Sequence, residues 1–399
     1  MNLNRIQEAM TELGIPAWLL LDFRGSNSIA WNILDLSDDT HCTRRWAVLI
    51  PQKGSPTIMA HAIESFTLWH IDGNHIEYSR WTDWHKHLHN AIAPYGSIAI
   101  EYSPMNEIPV VAKVDSGTVE LLRSFGANLV SSAELVQKLS AVWSEEQIEH
   151  NLTVTAPALH NVMRKTQVFL RDALMSQKTF TEYDVQQYIL QEFEHSELVT
   201  DSFPIVAIAK NAASPHYAPS KEQNSPIMIG DTILVDMWAK HQQRNSTFSD
   251  ITWMFHAGET VPQRDAELFS IIASARDAGI TLVQQRFANN EILHGYEVDN
   301  AVRDIIEKAG YGKYFIHRTG HSITTETHGS GTNIDNYETK DTRTIIAGTS
   351  FSIEPGIYIK DEIGLRTEID IVINHNGEVI VPTTQPQQNI IPLLGNLSL

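Results

Sequence analysis

Apolar positions along the first part of the chain follow two alternating periods. Residues 6–13 place their apolar side chains on one face of a helix, whereas 18–21, 46–50, 56–59 and 97–100 are short, densely apolar runs of strand length. Residues 119–125 return to the helical period. The mixture predicts an α/β unit, and none of its strands leads into a glycine-rich phosphate loop, so a nucleotide role has no support. A boundary is expected near Val142, dividing the chain into 1–143 and 144–399. Just beyond it, Ser144, Glu145, Glu146 and Gln147 form a capping-box sequence that opens a long helix through residue 164. Thr181 to Asp184 starts another helix, running to residue 194.

The pattern then changes. Strand-like runs at 204–209, 232–238, 248–255, 350–353 and 367–373 are separated by helical regions at 265–287 and 298–309. Antiparallel strands with helices packed on one side make this half an α+β domain. The residues after Pro382 read as an extended tail over the surface.

Acidic residues interrupt these strands where apolar ones are expected. Thr232 to Val235 leads straight into Asp236, and the next strand carries Asp250 in the same setting. Asp is depleted in strands, and an unpaired buried carboxylate is costly. The polar stretch from His241 to Asn245 suits a hairpin loop that would set Asp236 beside Asp250, and two such charges repel unless a cation lies between them. Taken singly, each is better read as a turn cap or a water-facing side chain; the pair is harder to explain that way. Downstream, Ile353 leads into Glu354 directly before Pro355 and Gly356, an unusual place for a free carboxylate. Period-two alternation puts Glu368, with Arg366 and Asp370, opposite the face of Ile369, Ile371 and Ile373, as an edge strand with one polar face would also do.

Histidine is the natural nitrogen donor for such acids, and the chain has 18. His85, His87 and His89 alternate on a segment containing Trp and Lys and read as a solvated face. His321 follows Gly320, His328 precedes Gly329, and His216 sits in the Pro-flanked run from Ser214 to Pro219. A lone loop histidine is usually exposed and idle, but three in Gly- or Pro-flanked settings beside strand-borne acids are harder to set aside.

Charge and cysteine usage narrow the chemistry. With 29 basic and 48 acidic side chains the formal net charge is -19. The resulting field argues against nucleic acid and anionic membranes as partners and leaves carboxylates for bound cations to neutralise. The single Cys42 rules out an internal disulfide and fits a reducing compartment. No apolar run approaches the roughly 20 residues that span a bilayer, and the N-terminus lacks the charged and apolar blocks of a signal peptide. A cytoplasmic protein is expected.

The order Asp236, Asp250, His321, Glu354, Glu368 resembles the creatinase and methionine aminopeptidase superfamily. With His216-Tyr217, His328, the run from Ile353 to Tyr358 and the run from Gly364 to Glu368, it looks like the Xaa-Pro peptidase branch, prolidase and aminopeptidase P. The resemblance spans most of the chain. It implies a pita-bread catalytic domain preceded by a creatinase-like α/β domain. It also implies that Asp236 holds one divalent ion, that Asp250 and Glu368 bridge two, and that His321 and Glu354 hold the second. Glu354 would accept a proton from the nucleophile, His216 and His328 would contact substrate and the tetrahedral oxyanion, and Arg366 would orient the carboxylates. Carboxylates with one imidazole and no thiolate suit Mn²⁺, Co²⁺ or Zn²⁺, and a pair of such ions activates water and polarises a scissile carbonyl.

The activity so implied is hydrolysis of the bond before proline in small peptides, by a manganese-dependent homodimer in which Trp69, Trp81 and Trp84 are candidates for the pairing surface. The same scaffold also serves non-peptidase enzymes (amidinohydrolases, ectoine hydrolases, sulfonium-compound lyases) and non-catalytic peptide binders. The chain departs from the branch in three places. Ser322, Ile323, Thr324 and Thr325 stand in a usually glycine-rich stretch, the Asp236–Asp250 separation is a few residues longer, and Trp253 replaces a frequent arginine.

Overall fold

Strand β1 (Ala17–Asp22) is apolar along its whole length because its two faces feed two different cores: Trp18 and Leu20 face one, Ala17, Leu19 and Leu21 the other. It lies inside a six-stranded sheet with β2 (Trp46–Pro51), β3 (Thr57–His61), β4 (Asn74–Tyr78), β5 (Ile98–Ile100) and β6 (Leu129–Ser131), in the order β4-β3-β2-β1-β5-β6. Only β2 runs against the rest. Helices α1 (Leu3–Glu12), α2 (Ser28–Leu34) and α5 (Ala133–Ser140) cover the Trp18 face, and α3 (Trp81–Ile92) and α4 (Ser116–Ser124) the other. The computed structural model describes all residues except 38, 177, 383–385 and 396–399, and its two compact units are Met1–Ser140 and Ala141–Leu399.

On helix α3 the histidines keep to the solvent side as expected, His85 and His87 half-buried and His89 exposed, while the opposite face is core. Trp84, Leu88 and Ile92 form a buried stripe at helical spacing, and His85 and His89 pack edge-on against Phe125, with ring centroids 6.0 and 5.2 Å apart. The alternating histidines conceal that stripe in the sequence.

In the second unit, α6 (Glu145–His150) starts from the expected capping box and passes through a π turn (Asn151–Thr155) into α7 (Ala156–Met175). Pro157 accounts for the π turn, since its ring and missing amide disfavour a regular helix there. Helix α8 (Glu182–His195) also begins at a capping box. The strands β7 (Leu198–Val199), β8 (Ile205–Ile208), β9 (Thr232–His241) and β10 (Ser249–His256) form one sheet, with a short α9 (Ala209–Ala212) after β8. After α10 (Gln263–Ala288) and α11 (Gly295–Lys308) come β11 (Ser322–Ile323), β12 (Ser350–Ile353), β13 (Gly356–Ile359), β14 (Ile363–Arg366), β15 (Ile369–Ile373) and β16 (Val379–Ile380). β11, β12, β15 and β16 make a second sheet, and β13 and β14 a two-stranded one.

Helices pack on one side of the β9–β10 hairpin, as expected, and strands β14 and β15 lie against the other. Val235, Met237, Ile251 and Phe255 point into a core with α7 and α8. Leu234 and Met254, on the opposite face, join a larger core that α10 and α11 build with Ile353, Leu365, Ile369 and Ile371. Asp236, Asp250 and Thr252 share that inner face, so burying the apolar residues on either side of them buries the acids too.

Of the expected surface tail, 383–385 and 396–399 lie outside the described residues, and the stretch between them is packed onto the fold instead. The Gln387 amide donates to the Met254 carbonyl at 2.7 Å and accepts from its N–H at 2.8 Å. Strand β17 (Ile391–Pro392) then pairs parallel with β10, and Leu393 is fully buried. An otherwise open strand edge is thereby covered. Gln387→Ala should therefore lower stability by about 1–3 kcal/mol, since it orphans two buried backbone groups. Denaturant unfolding measures this; an unchanged midpoint would return the segment to the surface.

Candidate metal centre

Register sets the first pair of acids. Asp236 pairs with Thr252 and Asp250 with Trp238, so the two carboxylates lie on a diagonal of the ladder and not side by side as the hairpin alone suggested. Glu368 reaches them from the second sheet: its amide donates to the Thr252 carbonyl at 3.3 Å, and the Thr252 hydroxyl donates to its Oε2 at 2.7 Å. The histidine segment is held against β12 because position 320 is glycine; a Cβ there would lie 1.9 Å from the Ser352 carbonyl oxygen. His321 N–H donates to Ser352 Oγ at 3.1 Å, Ser352 N–H returns a bond to the His321 carbonyl at 2.9 Å, and Glu354 N–H donates to the Thr319 carbonyl at 2.7 Å.

These constraints gather Asp250, His321 and Glu368 into a buried group whose ligand atoms lie within 4.8 Å of one another. His321 Nε2 is 3.7 Å from Asp250 Oδ2 and 3.6 Å from Glu354 Oε1. Asp236 pairs with Arg366 through Oδ2, while its Oδ1, like Asp250 Oδ1, is buried without a hydrogen-bond partner. His321 Nδ1 lies 3.3 Å from the Ser322 carbonyl, so the N–H belongs there and the Nε2 lone pair faces carboxylate oxygens. Acceptors converging on acceptors, with two buried oxygens unsatisfied, fit a bound divalent cation.

The electrostatics agree. Burial, then the charges of Glu368 and Asp236, raise the Asp250 pKa well above the usual carboxylate range. Burial, then Glu354 and Asp236, do the same for Glu368. Glu354 is pushed up to about 7 by burial, with Arg366 opposing and Asp236 adding. Burial, then His328 and Arg318, hold the His321 pKa well below the ordinary imidazole value, so its ring is a neutral ligand.

Behind the acids stand residues that sequence reasoning did not assign. Arg366 donates to the Tyr358 hydroxyl at 3.0 Å, and Tyr358 lies 2.8 Å from His317 Nε2. His317 Nδ1 is 2.7 Å from the Arg318 carbonyl, and burial lowers its pKa to about 3, so Nε2 accepts the tyrosine proton. The chain fixes the guanidinium that pairs with Asp236. Asp370 accepts the Asp250 amide at 3.0 Å, and burial raises its own pKa to about 8. His328 stands at the rim, edge-on to His321 with centroids 4.3 Å apart; partial burial, then Arg318, lowers its pKa.

His216 is exposed, on a loop anchored by the fully buried Glu182 of α8. Glu182 accepts the amides of Ile208 and Ser225 at 2.7 Å each, the Asn211 side chain at 2.8 Å and the Tyr217 hydroxyl. Nothing in the sequence marks Glu182 beyond its place in a capping box. Two of the departures also find places: Thr324 and Thr325 carbonyls accept from Phe248 N–H at 2.9 Å and Lys240 Nζ at 2.7 Å, tying the histidine segment to the hairpin. Trp253 packs toward His160 on the face away from Asp250.

Residues 147–375 match the family described as Metallopeptidase family M24. A putative Xaa-Pro aminopeptidase of Mycoplasma pneumoniae is 30% identical over 260 residues, covering 64% of this chain and 68% of that protein. The Xaa-Pro dipeptidase of Lactobacillus helveticus is 30% identical over 227 residues, 56% of this chain, and this chain spans only about half of that relative (55%). In fold, dipeptidase PepE from Mycobacterium ulcerans superposes with a TM-score of 0.68 at 21% identity, covering 98% of this chain and 96% of that one. Among the described residues no helix is long and apolar enough to cross a membrane.

A pH signature follows. A carboxyl whose folded pKa is raised stabilises the fold fully below its unfolded value, 4.5 for Glu354, and that contribution is lost as pH rises through about 7. Chelated protein should lose stability across this window as the acids ionise against one another, and a divalent cation should reverse the loss. The gain in Tm on adding Mn²⁺ should thus grow from about pH 5 to about pH 7.5 and largely vanish in Asp250→Ala. A gain independent of pH, or one that survives the substitution, would place the cation elsewhere.

Proposed function

Because the chain belongs to metallopeptidase family M24, we propose that it is a dinuclear-metal hydrolase that cleaves the peptide bond before proline in small peptides. The observation that carries this reading is the His321 lone pair directed at the carboxylates of buried Asp250 and half-buried Glu354. We assign Asp236 to one ion, Asp250 and Glu368 to both, and His321 and Glu354 to the other. Four carboxylates, one imidazole and no thiolate favour Mn²⁺, with Co²⁺ or Zn²⁺ taking the same donors. When bound, the ions supply Lewis-acid polarisation of the scissile carbonyl and activation of water.

The protein's own groups do the rest. Glu354, steadied by the Ser352 hydroxyl at 3.3 Å, takes a proton from the attacking water and returns it to the leaving nitrogen. Neutral His328 donates its N–H to the oxyanion that develops on the substrate. His216, on the loop held by Glu182, contacts the peptide, and Arg366 holds the Asp236 carboxylate in place through their ion pair. In this reading 1–143 is a creatinase-like domain and 144–399 the catalytic one. The protein works as a homodimer. Trp69, 66% exposed, suits a pairing surface, whereas Trp81 lines a cavity and Trp84, 2% exposed, belongs to the core. The unpaired Cys42 is in keeping with a cytoplasmic setting.

Metal-stripped protein should be inactive, and Mn²⁺ or Co²⁺ should restore hydrolysis in a screen of Xaa-Pro dipeptides, longer Xaa-Pro peptides and small amides. Full turnover by protein shown metal-free by elemental analysis, or turnover of small amides alone, would refute the proposal. Two substitutions separate ligand from catalyst. His321→Ala should lose metal and recover in part with excess metal, whereas His328→Ala should keep its metal and fall by about 10²–10³-fold in kcat. Metal loss in His328→Ala instead would reverse the assignment.

A further inference from the structure

The sheet of the first unit has a cavity of its own, about 1080 Å³. It opens where β1, β3 and β4, which run the same way, all end: Asp22 and Phe23 at β1, His61 at β3, Tyr78 at β4. The carboxyl ends of strands in an open α/β sheet are where crevices for ligands form.

Its available charge is positive. Arg44, Arg45 and Lys113 line it; Arg45 and Lys113 have no ion-pair partner among the described residues, and Arg44 reaches Glu64 only through the Thr43 hydroxyl, to which it donates at 2.7 Å. The acids facing it, Asp22 and Asp115, are already engaged. Asp22 accepts the amides of Gly25 and Asn27 at 2.9 Å each, and Asp115 accepts the Thr118 amide at 3.0 Å and its hydroxyl at 2.6 Å. Cations left free in a chain of net charge -19 mark a place built for an anion.

Flat apolar surface lies beside them. The Arg45 guanidinium sits over the Trp84 ring, 5.5 Å from its centroid, and the Tyr78 hydroxyl pins the Arg45 carbonyl at 2.6 Å. Phe23 and Trp81 keep 48% and 64% of their surface exposed at its walls. We propose that this cavity binds a small aromatic acid, its carboxylate or phosphate held by Arg44, Arg45 and Lys113 and its ring laid on Trp81 and Phe23. The site is independent of the peptidase reading, because its lining includes none of the candidate metal ligands.

Calorimetric titration of the full chain tests it with indole-3-acetate and phenyl phosphate, set against indole-3-acetamide, phenol, acetate and inorganic phosphate. At least one aromatic acid should bind at one site, at least about tenfold tighter than its neutral counterpart and than the bare anion. The tighter of the two heads names the class. Arg45→Glu and Trp81→Ala should each weaken binding by about tenfold or more, while chelation and Asp250→Ala leave it unchanged. No binding by either acid, equal affinity in Arg45→Glu, or loss in Asp250→Ala would overturn the proposal. So would a drop in molecular mass on Trp81→Ala without any ligand bound, since the face would then be a contact between copies.

Discussion

Carboxylates crowded into a desolvated pocket repel one another, and the second unit is organised around that repulsion. The charge of Asp236 raises the pKa of Asp250, Glu354 and Glu368, and Arg366 supplies an internal countercharge through its pairing with Asp236. A buried guanidinium–carboxylate pair is weak evidence for stability, because desolvating both charges offsets most of their attraction. Its value here is orientation. The Tyr358–His317 chain holds the guanidinium, the guanidinium holds Asp236, and the remaining negative charge is directed toward the His321 lone pair. Such a pocket is poorly satisfied by protons or by side chains, and well satisfied by divalent cations.

The fold tolerates this cluster because apolar cores flank it. One face of the β9–β10 hairpin packs on α7 and α8, while the inner face places Leu234 and Met254 in the core of α10 and α11 with the acids between the two. Close approach at Gly320, the Thr252–Glu368 bridge between sheets and the Gln387 contact with Met254 lock strands that would otherwise be free to slide apart under the charge. Rigid elements carry the ligands, and loops carry His216 and His328 at the rim. That division suits a centre in which metal geometry must stay fixed while a substrate comes and goes.

The sequence by itself determined the local elements and the identity of the candidate donors. Helix starts at Ser144 and Thr181 are legible because capping boxes are local. Asp236, Asp250 and Glu354 stand out because acids break an apolar strand pattern, and the ordered set with His321 and Glu368 carries the family resemblance. What only the tertiary structure decided depends on partners far apart in the chain. The diagonal of Asp236 and Asp250 comes from strand register, which the longer loop left open. The amide of Asp250 meets Asp370 across 120 residues, and Glu182 reaches Ser225 across 43. The tail joins β10 through a contact spanning 133 residues. Protonation preferences belong to the same class, because burial and neighbouring charge set them, and neither exists until the chain has folded.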